Sequence, residues 1–440
     1  MKVEKRLFLY LWIVAAALPL PFFSNAYAMP GHVVSEPYQV RAGELLEILK
    51  GAKTEEQFFA RSFLEAVPTA QFRTLTAQLK AQYGQPVAII QIIPASDKDG
   101  TLEISYEKAT LAFRMVIDQA EPHPVIGLLV TGAKVRGDDL SKITKEFQSL
   151  PGSAGFEIAR IDGGNRQVLS AYNGGRQYGI GSTFKLYVLA ELNRSIKVGA
   201  RNWHDVLRID RKSLPSGVLQ NWPDGAPLTL QTLATLMISI SDNTATDLLI
   251  AELGKDKIAD MIRNTGHSDP SRTIPILTTL EFFSLKMPEN TDVRKRFSAG
   301  GDTQQSSILD QEASRLSRRS VAIENLANKP QHIEEIEWFA SPSDISRLML
   351  YLNQEVDPVT KKIISISGEI GPGDKARWAY LGSKGGSEPG VISFAFLAIS
   401  KSGKSYSVSG SWNNPDEPID GPKFQTLMNR LLNLSAEIAD

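Results

Sequence analysis

Two successive domains of mixed α and β structure are predicted, on three observations. Between residues 39 and 134, helical periodicity comes first and strand alternation afterwards. From 135 to 440, hairpin-forming strands stand at both ends, and strongly apolar helices lie between them.

The first domain opens with helical segments over Gly43 to Leu49, Thr54 to Val67 and Thr69 to Gln82, the second carrying Phe58, Phe59, Phe63 and Leu64 on one stripe. Extended segments follow. Leu111, Phe113, Met115 and Ile117 alternate with Ala112, Arg114 and Val116, and Val125 to Val130 is a continuous apolar run, so antiparallel strands are expected. Asp97, Asp118 and Glu121 stand in turn-like surroundings, where solvated carboxylates are the default.

Gly137 to Leu150 opens the second domain as a helix, with Leu140, Ile143 and Phe147 at helical spacing. Gly155 to Ile161 and Gln167 to Tyr172 form a hairpin across Asp162-Gly163-Gly164-Asn165. Leu228 to Ser239 is an apolar helix with Thr229 as N-cap, and a second apolar helix spans Thr246 to Leu253. Residues 288–333 are polar, charged and broken by Gly300-Gly301, which predicts an exposed insertion with its arginine clusters solvated. Ser341-Pro342-Ser343-Asp344 then supplies an N-cap, a proline at the first helical position and a capping-box acid. Val391 to Ser400 and Tyr406 to Trp412 make a second hairpin, and Phe424, Leu427, Met428, Leu431 and Leu432 mark a C-terminal helix. Both ends thus feed one antiparallel sheet with helices on its faces, while the middle forms a helical subdomain.

Residues 1–28 read as a cleaved secretory signal: Lys2, Lys5 and Arg6 precede the apolar run Leu7 to Phe23, which Pro19 and Pro21 interrupt, and Ala26-Tyr27-Ala28 forms the cleavage site. A periplasmic or secreted protein is expected, with no stable membrane span after cleavage. The chain has no cysteine, which excludes disulfides, a thiol nucleophile and cysteine metal sites. Its five histidines have no zinc-site spacing, and the net charge of −1 gives no general electrostatic case for nucleic acid.

Three short motifs carry the chemistry: Ser182-Thr183-Phe184-Lys185, Ser241-Asp242-Asn243 and Lys384-Gly385-Gly386. A serine hydroxyl is a poor nucleophile without a base in hydrogen-bond reach, and S-x-x-K places a lysine amine one helical turn after Ser182, on the same face. The following residues, Leu186 to Leu192, are apolar nearly all round, so this helix is expected to be buried, with Gly181 opening it and the Ser182 amide free to donate.

These motifs, with Leu214-Pro215-Ser216-Gly217-Val218-Leu219-Gln220 and the run from Leu228 to Ile250, resemble the corresponding regions of class A β-lactamases and related penicillin-recognising serine hydrolases over roughly residues 140–440. The resemblance implies a five-stranded antiparallel sheet flanked by helices, plus a helical subdomain. The upstream helices and strands are similar to the steroid-isomerase-like N-terminal domain of two-domain serine hydrolases such as the clavulanate-pathway type.

On this resemblance Ser182 is the nucleophile, Lys185 its base, Lys384 a second cation that lowers the Lys185 pKa, and Ser241 a proton relay toward the leaving group. Asn243 orients Lys185 and holds a substrate carbonyl; Gly386 and Ser387 bind substrate, the Ser387 amide completing an oxyanion hole with that of Ser182. No metal or organic cofactor is implied, and the partner is a small carbonyl compound: a β-lactam, an ester or a cell-wall peptide. Two departures stand out. Gly385 replaces the usual threonine or serine, and no E-x-x-L-N glutamate follows S-D-N. Glu281, the nearby carboxylate, reads as a capping or surface residue rather than a deacylation base. A serine hydrolase slow in deacylation, a penicillin-binding protein or D-alanyl carboxypeptidase, and a catalytically idle cell-wall-binding relative all remain open.

Overall fold

The computed structural model describes residues 33–438 apart from 56, 317–325, 327–328, 367–374 and 376; the signal segment lies outside them. The chain divides into two compact units, one of residues up to Asp139 with 370–377 and 420–433, the other of 140–369, 378–419 and 434 onward.

In the first unit, Ser35 caps the helix Glu36–Lys50 by accepting the Tyr38 amide, and a proline sits in the first turn. The helix therefore begins ahead of the expected Gly43. The second expected helix is cut to Arg61–Ala66. Its forward half is held away from helical geometry, because the Val125 amide donates to the Phe58 carbonyl at 2.8 Å and the Ala60 amide donates to the Val125 carbonyl at 2.9 Å. The helix Thr69–Tyr83 completes the layer. Four strands, Pro86–Pro94, Asp99–Tyr106, Ala109–Ile117 and Val125–Val135, then pair antiparallel in chain order. Ala109–Ile117 alternates buried with half-buried residues, the period-2 pattern of its sequence. Tyr38 ties helix to sheet, its hydroxyl lying 2.9 Å from the Gly100 carbonyl and 3.2 Å from that of Met115.

In the second unit, five strands form an antiparallel sheet in the spatial order Tyr380–Glu388, Val391–Ile399, Ser405–Asn413, Ser153–Arg160, Gln167–Tyr172. Val391–Ile399 and Ser405–Asn413 are buried along nearly their whole length. The helix Pro342–Glu355, with the Ser341/Asp344 capping box in place, packs on three of these strands. The helical subdomain comprises Lys185–Lys197, Leu230–Ser239, Asn243–Leu253, Lys255–Asn264 and Thr279–Lys286. Leu186, Val188, Leu189, Leu233, Met237, Leu249 and Phe282 from these helices share one core.

Two expectations are corrected here. The segment 288–333 is not simply an exposed insertion: it contains the helices Thr291–Ala299 and Asp302–Gln311, and Val293, Phe297, Ile308, Leu309 and Leu316 join the main core. Its apolar residues are few but fall at helical spacing, and Arg294 is buried, donating to the carbonyls of Leu285 (2.7 Å) and Met287 (3.2 Å). Arg318 and Arg319 lie outside the described residues. The C-terminal helix, Gly421–Ile438, has residues 421–433 in the first unit rather than in a continuous 135–440 domain. There the Asn429 amide donates to the Thr131 carbonyl at 2.7 Å, and Arg430 makes a two-pronged bond to Asp138 at 2.7 and 2.8 Å.

Candidate active site

Ser182 lies in a single 3₁₀ turn, Gly181–Phe184, that runs directly into the helix Lys185–Lys197. The turn is fixed from several directions. The Ile180 amide donates to the Trp338 carbonyl at 2.9 Å, the Gly181 amide to Glu337 Oε2 at 3.2 Å, and the Gly179 amide to Asn413 Oδ1 at 2.7 Å. Phe184 stacks on Trp338 with ring centroids 3.8 Å apart, and Phe282 stacks on Trp338 at 4.2 Å.

The Ser241-Asp242-Asn243 segment leaves the helix Leu230–Ser239 with Ser241 at φ +56°, a left-handed conformation uncommon outside glycine. Asp242 caps the next helix, Oδ1 accepting the Ala245 amide at 2.8 Å while Oδ2 accepts those of Val218 at 2.7 Å and Leu219 at 3.0 Å. Ser216 Oγ donates to the Ser241 carbonyl at 2.8 Å. A Cβ at Gly217, itself at φ +107°, would stand 2.2 Å from Asp242 Oδ2, so glycine is required there. In sequence Ser216 and Gly217 stand out by resemblance alone; in the structure they hold the second motif in its bend.

Lys185 is the centre of the constellation. Its fully buried Nζ lies within hydrogen-bond distance of the Ser241 carbonyl (2.7 Å), Ser241 Oγ (3.0 Å) and Asn243 Oδ1 (2.7 Å). Burial first, and the Lys384 ammonium second, push Lys185 well below the ordinary lysine range, with Asp247 and Asp242 partly offsetting them. Asp247 is buried behind the site, accepts the Thr279 and Leu280 amides at 2.7 and 3.1 Å, and is itself pushed up to about 6, chiefly by burial. The Asn243 side-chain nitrogen donates to the Leu214 carbonyl at 3.1 Å, so Asn243 is clamped from both ends of its amide.

Lys384, Gly386 and Ser387 lie on Tyr380–Glu388, an edge strand whose outer side faces the Gly181–Phe184 turn. The buried Lys384 ammonium donates to the Gly385 carbonyl. A Cβ at Gly386 would stand 2.4 Å from the Ser182 nitrogen and 2.5 Å from that of Thr183, and one at Gly181 would stand 2.9 Å from the Ser387 nitrogen. Strand and turn therefore touch backbone to backbone through glycines, bringing the Ser182 and Ser387 amides side by side.

Glu281 stands apart from this gathering. Its Oε2 accepts the Thr278 amide at 2.7 Å in a capping box, and both carboxylate oxygens accept from Lys255 Nζ at 2.7 Å. A second carboxylate cluster, unanticipated from sequence, does approach the site. Buried Glu337 accepts the Gly181 amide, and Lys286 pairs with both Glu337 (3.9 Å) and Glu388. Glu337 ends the run Glu334-Glu335-Ile336-Glu337, whose three acids read as solvated in sequence; the contrary signals are Ile336 and the apolar stretch Trp338-Phe339-Ala340 that follows. Among the described residues, no group of histidine and carboxylate side chains is arranged to hold a metal ion.

This arrangement belongs to a recognised class. The beta-lactamase enzyme family model matches residues 140–362, more than half of the chain, and the chain belongs to that family. Its second unit thus has the fold of the serine hydrolases that include β-lactamases and penicillin-binding proteins. Among solved structures, the chain is similar to a β-lactamase from Sphaerobacter thermophilus at 22% identity, covering 68% of this chain and 97% of that one with a TM-score of 0.47. It is similar to PBP-A at 17% identity (68% and 96% covered, TM-score 0.47), and to a β-lactamase from Francisella tularensis at 14% (69% and 100%, TM-score 0.48). No curated protein matches the chain. The family match begins at residue 140 and does not extend into the first 139 residues.

Proposed function

We propose that this protein is an exported serine hydrolase that forms an acyl-enzyme through Ser182 on a β-lactam, an ester or a related carbonyl, and releases the acyl group slowly. The observation that carries this reading is the Lys185 amine: buried, held by Ser241 and Asn243, and depressed by Lys384. With its pKa lowered, Lys185 in its free-amine form accepts the Ser182 Oγ proton as the oxygen attacks the carbonyl carbon. The carbonyl electron pair moves onto oxygen and is met by the adjacent Ser182 and Ser387 amides. As the tetrahedral centre collapses, the scissile bond breaks and Ser241 passes the proton from Lys185 to the leaving nitrogen or oxygen.

Slow release is supported by the engagement of Glu281 with Thr278 and Lys255, which leaves it committed to a helix cap. The same observation favours a penicillin-binding protein or D-alanyl carboxypeptidase as the second reading. An idle cell-wall binder would have no use for a buried, depressed lysine. Export rests on the signal-like residues 1–28; among the described residues, no helix is long and apolar enough to cross a membrane. A labelling time course with a fluorescent penicillin tests the reading. Covalent label is expected on the parent and absent from Ser182→Ala, and label that survives in Ser182→Ala would move the nucleophile elsewhere.

A further inference from the structure

Gly181 precedes the nucleophile and Glu388 follows Ser387, so the two amides of the oxyanion hole are each flanked by a residue tied into one buried cluster. Glu337 reaches it from the segment before Phe339–Ala340, Lys286 from the last turn of Thr279–Lys286, and Glu388 from the end of the edge strand. The Lys286 and Glu337 side chains are completely buried, and that of Glu388 is 11% exposed. Glu337 Oε2 accepts the Gly181 amide at 3.2 Å and the Trp338 amide at 2.9 Å. Lys286 Nζ pairs with Glu388 Oε1, stands 3.9 Å from Glu337 Oε1 and lies 4.2 Å from the centre of the Phe282 ring.

We infer that Glu337, Lys286 and Glu388 are positioning residues that set the separation of the Ser182 and Ser387 amides, and so tune acylation without touching substrate. The inference rests on the proposed acyl-enzyme chemistry at Ser182. Its physical basis is that the two backbone segments meet through glycines, and the cluster links them a second time through Gly181, Glu337, Lys286 and Glu388. Oxyanion stabilisation depends steeply on that distance, since donors must sit within hydrogen-bond range of where the charge develops. Burial first, and the Glu388 carboxylate second, hold Glu337 well above the usual carboxylate range, with Lys286 partly offsetting them.

The test uses stopped-flow acylation of the full chain by a fluorescent penicillin, separating the dissociation constant of the non-covalent complex from the acylation rate constant. In Glu388→Gln, the expected result is an acylation rate constant about tenfold lower, with the dissociation constant within twofold of the parent and the melting temperature little changed. Lys286→Met should show the same split more strongly. If it does not fold, Glu388→Gln decides alone. An acylation rate constant within twofold of the parent in Glu388→Gln overturns the inference, as does a parallel loss of affinity, rate and melting temperature, which is the signature of a merely structural role. Failure of the parent itself to label at Ser182 rejects the acyl-enzyme reading and this inference with it; normal parent labelling with an unaffected Glu388→Gln rejects the inference alone.

Discussion

At the scale of single residues, the account turns on the charge of Lys185. Lys185→Ala or Lys185→Arg should fold yet acylate more slowly, by roughly 10² to 10⁴ as for other general bases. The pH profile carries more information. A base works deprotonated, so the acylation rate should rise with pH through the Lys185 pKa, and its midpoint should fall well below the ordinary lysine value of 10.5. Lys384→Ala removes a neighbouring positive charge that disfavours the ammonium form. The midpoint should therefore move to higher pH, and an unmoved or lowered midpoint would show that Lys384 does not set it. Ser182, Lys185, Ser241, Asn243 and Lys384 were legible in sequence because each sits in a short motif whose spacing states its chemistry. Glu337, Lys286 and Glu388 were not. They come from three segments separated by 51 residues at each step, Lys286 to Glu337 to Glu388, and no local pattern announces that folding buries them together.

At the scale of elements, the second motif depends on a neighbouring loop as much as on its own helix. Gly217→Ala would set a methyl 2.2 Å from the Asp242 carboxylate, on a backbone at φ +107°. A loss of about 1–3 kcal/mol in denaturant-measured stability is expected, together with slower acylation, since Asp242 holds the bend that presents Ser241 and Asn243 to Lys185. Glu281→Gln is the contrasting case. It loses the Lys255 ion pair and weakens the Thr278 capping box, costing about 1 kcal/mol. The initial burst and the steady rate of nitrocefin hydrolysis should both stay at parental levels; a collapse of turnover in Glu281→Gln would make it the deacylation base after all. The strands at 111–117, 125–130, 155–161 and 167–172, and the helix at the Ser341 capping box, could be read from alternation, turn signals and cap chemistry. The turn and bridge at 57–60 could not, because the stripe of phenylalanines suits a helix while Phe58 and Ala60 bond instead to the distant Val125 backbone. The helices of 288–311 were hidden for the opposite reason: their buried positions are too few among charges to raise a periodic signal.

At the scale of the whole molecule, stability should depend on acid through Asp344, which ties the helix Pro342–Glu355 to Ser268 and His267. Burial raises its pKa, but His267 and the hydrogen bonds from Ser341 and Ser268 outweigh burial and bring it down to about 2 from 3.8. The folded state therefore favours the carboxylate, so this contribution is complete above the unfolded pKa and disappears as pH falls through about 2. It amounts to about 2 kcal/mol. Urea midpoints measured between pH 6 and pH 2 should drop less steeply in Asp344→Asn than in the parent. The two-unit plan and the two hairpins of the second unit's sheet were visible in the order of sequence patterns, and its five strands followed from the family resemblance, whereas the assignment of residues 420–433 to the first unit depends on long-range partners, Thr131 and Asp138, that an amphipathic helix does not name. The central claim, that the three motifs build one working acyl-transfer centre, is tested most directly by intact-mass spectrometry of the protein incubated with a penicillin. The account predicts one penicilloyl adduct per chain, persisting through the time course and absent from Ser182→Ala; an unmodified parent, or an adduct retained in Ser182→Ala, would contradict it.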